Sequence, residues 1–198
     1  LFLLILILLV YFPAYRAGFI WDDELMTDNI LLRTGNGLWK IWTDISAIPE
    51  KDSRYWPLFY SFLWFEYHLW GGSPMGYHIT NILLHAANTI LIFFILNRLK
   101  IPGALWASVI FAIHPIHVES VVWVIETKTL LSTFFYLISF WTYLDFEKRQ
   151  KKSQYILSLI LFLCAMLCKP VTVTLPLALL MFLWWKKRAL EKVVPTNH

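Results

Sequence analysis

An all-α polytopic membrane protein is what this sequence predicts, on three observations. Of its 198 residues 59% are hydrophobic and only 15% charged, against roughly 25% charged in soluble domains. Mean hydropathy is +0.59. Apolar runs recur at lengths near the ~20 residues that a membrane helix needs, and 11 Trp and 9 Tyr suit a chain that spends much of its length near lipid headgroups. The net charge of +4 does not imply a nucleic-acid partner, because the basic residues stand in short clusters beside apolar runs rather than on one polar face.

Six runs are candidate spans: residues 1–15, 77–97, 101–123, 129–146, 155–168 and 170–185. The third loses unbroken apolar character at His114, and the fifth is short before Lys169 and Pro170, so both are expected to end in a protein-lined cavity. The first lacks a small-residue cleavage pattern and reads as the remainder of a membrane helix rather than a signal peptide. With Leu1 already inside an apolar run and "VVPTNH" closing the text, the chain is expected to be a single membrane domain, 1–198, cut from a longer module. Cys164 and Cys168, one helical turn apart, read as small buried apolar groups and set no redox compartment.

Lys and Arg fix the orientation. Arg98 and Lys100, then Lys148, Arg149, Lys151 and Lys152, then Lys186, Lys187, Arg188 and Lys192 follow spans two, four and six, so six crossings put ten of the 17 basic residues on one, cytoplasmic, side. The long loop 14–76 holds five basic residues (Arg16, Arg33, Lys40, Lys51, Arg54) and eight acidic ones, and is expected to face periplasm or lumen. Within it, Pro57 to Gly71 frames a Trp- and Tyr-rich helix too short to span, expected to lie in the interface. "NGLWKIW" is a second, shorter candidate.

This topology brings the unusual polar residues to the outer face. Asp22, Asp23 and Glu24 follow span one; His114, His117 and Glu119 of "HPIHVES" and Glu126 and Lys128 of "ETK" lie between spans three and four; Lys169 lies between five and six. Paired carboxylates suit proton abstraction, one taking the proton while the other orients it or a cation; the bland alternative is a hydrated helix end. His114, His117 and Glu119 are of ligand type for a divalent cation, or His114 satisfies backbone groups at the Pro115 break. His78 and His85 on span two are expected to serve helix packing or hydrogen bonding. Lys128 and Lys169, ammonium groups at a membrane edge, suit a lipid phosphate.

The stretches "FIWDDE", "YWPLFYSFLWFEYHLWGGSPMGYHITNILLHAANTILIF", "FAIHPIHVESVVWVIETKTLLSTFFYL" and "CKPVTVTLPLALL" together resemble the amino-terminal membrane part of polytopic glycosyltransferases of the GT-C fold, above all those with a carboxy-terminal tetratricopeptide array, whose animal members are protein O-mannosyltransferases. The resemblance implies transfer of a sugar from a polyprenyl- or dolichyl-phosphate donor to a protein or glycan hydroxyl at the outer face, with inversion. It implies Asp22 as general base with Asp23 as its partner, Lys128 and Lys169 as phosphate-binding cations, and a soluble repeat domain beyond this text. No cofactor is implied with certainty, a divalent cation being the one open option. Thr127 and Thr129 depart from the family's Glu-Arg-Lys-Asn or Glu-Arg-Lys-Asp pattern, removing a cation whose bidentate fork Thr cannot mimic. The corresponding alternative is a catalytically inactive scaffold of the same fold that anchors a repeat domain. A transporter with a metal site at "HPIHVE" is a further reading.

Overall fold

In the computed structural model residues 1–23, 28–44 and 55–193 are described, with side chains as far as Arg188; Glu24, Lys51 and Arg54 lie outside them, as does the side chain of Lys192. The described chain is helical, with no strand among the described residues. Helix α1 (Phe2–Val10) gives way to a 3-10 turn, Phe12–Arg16, whose N1/N2 position is taken by Pro13. The first span is thus an α-helix of 9 residues followed by a tighter turn, not a continuous helix to residue 15; Pro13 offers no N–H to an α-helical ladder. Two short helices, α2 (Ile30–Arg33) and α3 (Gly37–Thr43), lead to α4 (Pro57–Trp70), which starts on Pro57 and stops where Gly71 turns the chain at φ 58°.

Helix α5 (Pro74–Arg98) is, among the described residues, the one helix long and apolar enough to cross a membrane. Its polar residues His78, Asn81, His85, Asn88 and Thr89 are buried, whereas Leu83 and Phe94 are about half exposed. Polar residues thus pack inside the bundle beside Tyr77, Ile82, Ala86 and Ile95, while large apolar side chains are left on its surface. Gly76 is needed where α4 and α5 meet: a Cβ there would stand 2.3 Å from the Trp70 ring.

The third candidate span is two helices rather than one. Helix α6 (Ala104–Ile113) ends at His114, extended at φ −64° and ψ 129°, and α7 (His117–Val122) resumes after Pro115. A residue before proline is driven out of the α region by the proline ring, which places the break here. A 3-10 turn, Val124–Glu126, then feeds α8 (Thr127–Arg149), and α9 (Lys152–Cys168) returns antiparallel to it. Ser139 and Ser158 exchange hydrogen bonds through their hydroxyls and carbonyls at 2.7 and 3.0 Å across this pair. A last 3-10 turn, Pro170–Thr174, precedes α10 (Leu175–Val193), so the sixth candidate span starts as a helix five residues later than 170.

Two cores result. One, made of Leu31, Leu32, Ile41, Trp56, Phe59, Tyr60 and Leu63, knits the outer loop onto Tyr77, Val124 and Ile125. The other joins Ile7, Tyr11 and Ala14 to Ile82, Ala86, Ala112, Val121 and Leu130 within the helix bundle.

Candidate active site at the outer end of the bundle

The junction of the two cores is the turn Trp123–Glu126, and the sequence-predicted carboxylates gather round it. Asp23 is fully buried. Its Oδ1 accepts from the Ile125 N–H at 2.9 Å and its Oδ2 from the Ile20 N–H at 3.1 Å, while Trp21 stands edge-on to Trp123 with ring centroids 5.3 Å apart. Burial pushes the Asp23 carboxyl above its ordinary value, opposed by the backbone donors of Ile125, Ile20 and Val124. Asp22, its neighbour, is exposed. Trp21 at φ 50° turns the chain so that the two adjacent carboxylates part: one locks the first turn onto the Val124–Glu126 segment, the other stands free at the surface of that end.

At the residue after Asp23's anchor, Ile125, the charges converge. Glu126 occupies the N-cap position of α8 without a side-chain capping hydrogen bond, where the positive helix end favours a carboxylate. Its Oε1 lies 3.3 Å from the buried Lys128 ammonium and its Oε2 3.2 Å from that of Lys169, which arrives from the end of α9. The Thr129 hydroxyl closes the ring, donating to Glu126 and accepting from Lys169 Nζ at 2.6 Å. Burial alone would raise the Glu126 carboxyl, but Thr129, Lys128 and Lys169 together hold it below its ordinary value. Lys128 also lies over the Trp56 ring at 4.9 Å, a cation–π contact that ties the outer loop to the cluster.

Thr127 is structural: its hydroxyl lies 2.5 Å from Asn81 Oδ1 and 2.7 Å from the Val124 carbonyl, and Asn81 donates to the Trp123 carbonyl at 3.2 Å. Thus the two threonines that depart from the family pattern are both hydrogen-bonded into the cluster and its floor.

His114, His117 and Glu119 do not assemble in the same way. His114 is exposed and its Nδ1 accepts from the Ile116 N–H at 3.2 Å, satisfying the backbone at the Pro115 break. His117 turns inward onto Phe111, with ring centroids 4.2 Å apart, and lies 6.3 Å from the His114 ring, while Glu119 is exposed. No group of three His, Cys, Asp or Glu able to hold a metal ion occurs among the described residues. His85 donates through Nε2 to the Ala112 carbonyl of α6 at 3.0 Å, the packing role expected for it.

The sequence reading missed Thr129 as the link between Glu126 and Lys169, and it missed Glu66. That side chain is buried in α4 with neither oxygen hydrogen-bonded, and burial pushes its carboxyl up to about 8, with a smaller opposing effect from Thr80. A lone acid in a 14-residue aromatic helix was the available signal.

The family described as dolichyl-phosphate-mannose-protein mannosyltransferase matches residues 49–197, a range that contains the Glu126–Lys128–Lys169 cluster. Protein O-mannosyl-transferase Tmtc1 of Drosophila melanogaster is 29% identical over 178 residues, covering 83% of this chain and 20% of that protein. Protein O-mannosyl-transferase TMTC4 of Homo sapiens is 31% identical over 191 residues, covering 81% and 26% respectively; TMTC3 of Homo sapiens is 31% identical over 140 residues, covering 67% and 15%. The chain therefore spans about a quarter or less of the length of these curated relatives. No solved structure matches it. With its charged cluster inside the matched region and three quarters of its length aligned to one family, the chain belongs to the dolichyl-phosphate-mannose-protein mannosyltransferases.

Proposed function

We propose that the chain is the donor-binding, base-bearing end of a membrane glycosyltransferase that moves a hexose, mannose by the names of its relatives, from a polyprenyl- or dolichyl-phosphate to a hydroxyl of a protein or glycan acceptor. The observation that carries this reading is the convergence of Lys128 and Lys169, from opposite helices of an antiparallel pair, on one point at the end of the bundle that also bears Asp22. The acceptor oxygen attacks the anomeric carbon as Asp22 takes its proton. The bond from that carbon to the phosphate oxygen breaks, and the phosphate leaves with the electron pair, its charge met by the two ammonium groups. Attack opposite the leaving group inverts the anomeric centre. Asp23 acts through position, holding the Asp22 turn against the cluster.

The lipid half of the donor has a place to lie. An apolar groove of about 310 Å³ between α8, α9 and α10 starts at Leu175, the residue after the turn that follows Lys169, and continues along Leu179 and Leu183. In this reading α1, α5, α6 with α7, α8, α9 and α10 are six crossings. The positions of the basic clusters and the exposed Leu, Ile and Trp side chains of α1, α9 and α10 support it, since lipid in place of water makes such exposure favourable. The active face is then periplasmic or lumenal.

One observation favours a second reading. Glu126 already pairs with both cations, as it would in an inactive scaffold that anchors a repeat domain. The test is sugar release from a panel of radiolabelled polyprenyl-phosphate sugars by membranes holding the full-length protein, beside its Asp22→Asn variant. Turnover lost in a variant that still inserts and binds donor supports the enzyme; donor bound without turnover by either protein supports the scaffold.

A further inference from the structure

At the other end of α8 lies a cleft of about 540 Å³ that the outer chemistry does not use, lined by Arg98, Lys100, Glu147, Lys148, Trp185 and Lys186 among others. Four cations from the ends of α5, α8 and α10 therefore face one cavity. Two are held in place. Arg98 donates to Asp145 at 2.7 Å and lies over the Trp141 ring at 4.7 Å, and Lys186 pairs with Glu147. The other two, Lys100 and Lys148, are exposed and have no ion pair among the described residues. Lys100 is moreover held at φ 55°, its N–H donating to the Asn97 carbonyl at 3.0 Å. Gly or Asn normally takes that left-handed position after a helix, so a lysine there keeps a costly backbone for a side chain that lines the cleft.

Position identifies the ligand. From Glu126 to Lys148 of the cleft is 22 residues along α8 (148 − 126), a rise of roughly 33 Å, close to the ~30 Å hydrocarbon thickness of a bilayer. Helix α5 likewise runs from Asn81 beside Trp123 to Arg98 in the cleft. When the Glu126 cluster stands at one membrane surface, the cleft stands at the level of the opposite leaflet's phosphates. Trp185, 46% exposed, sits where an indole meets headgroups.

We propose that this cleft is a binding site for the phosphate of an anionic lipid headgroup in the cytoplasmic leaflet, with Lys100 and Lys148 as its free cations and Arg98 and Lys186 as its fixed wall. Basic pockets between transmembrane helices take such headgroups because several cations meet one phosphate at an interface of reduced dielectric. The inference rests on the membrane reading above.

The full-length protein is first shown to resist carbonate extraction from membranes; extraction would refute the membrane reading itself. Native mass spectrometry in detergent then counts phosphatidylglycerol and phosphatidylcholine supplied in equal amounts. The expected result is retention of phosphatidylglycerol, weakened about fivefold by Lys100→Gln or Lys148→Gln and roughly twenty-five-fold by both, but not by Lys187→Gln, which lies outside the lining. An inserted protein without preference for the anionic lipid, or a double variant that keeps it, overturns the proposal. Displacement by an equal concentration of inorganic phosphate overturns the lipid as its source.

Discussion

Both ends of α8 gather charges and treat them differently. At the outer end Glu126 touches two cations at once, Thr129 links it to Lys169, and the group is largely buried. At the inner end the pairs are separate, Lys186 is 40% exposed, and Lys100 and Lys148 stand without ion pairs among the described residues. A closed ring of charges fixes geometry before a ligand arrives, as a reaction centre requires. Loose cations on an open cleft suit a ligand of net negative charge that arrives from outside the fold.

The largest expected effect breaks that contrast at its source. Glu126→Ala leaves Lys128 and Lys169 uncompensated in a buried site and is expected to destabilise the protein by about 3 kcal/mol; Glu147→Ala, the inner counterpart, is expected to cost under about 1 kcal/mol, since its partner is substantially hydrated. Thermal unfolding in detergent measures both, and equal costs would remove the distinction.

Next in size is Asp23→Ala. It strands the buried N–H of Ile125 and leaves that of Ile20 without its acceptor, a loss of about 2 kcal/mol that should also release the Asp22 turn. Asp23→Asn, which keeps one acceptor oxygen, is expected to lose about half as much. Thr129→Val follows at about 1 kcal/mol, with donor affinity falling alongside stability because Lys169 loses its 2.6 Å acceptor.

A pH dependence follows from the same carboxyl. The Glu126 carboxyl is held below its ordinary value in the fold, so its contribution is fully present above its unfolded value, ~4.3, and is lost as pH falls through the folded one. Below about pH 4 the unfolding midpoint of the wild type is therefore expected to approach that of Glu126→Ala, whereas at pH 7 the two stay apart.

How much of this was legible in the sequence differs between the same regions. The positions of Lys and Arg alone sorted Asp22, Asp23, Glu126, Lys128 and Lys169 to one end, and the structure brings the last three into contact. The division of labour between the two aspartates was not legible. It depends on a left-handed Trp21 and on a backbone N–H more than 100 residues away, which no local pattern encodes. Thr129 read as a loss because it replaces a charged or polar residue of the family pattern; its role follows only from Lys169 arriving beside it on α9. The helix break at Pro115 and the backbone role of His114 were visible in the residue types, whereas the alternative of His114, His117 and Glu119 as a ligand set stayed open because spacing along the chain does not say that His117 turns inward onto Phe111.

The most direct measurement is turnover of the full-length protein carrying Asp22→Asn, with donor binding followed in the same membranes. The account predicts a loss of about 10²- to 10⁴-fold in rate with donor affinity unchanged, because the base is removed while the Lys128 and Lys169 cluster stays whole. A variant that transfers sugar at the wild-type rate would contradict it.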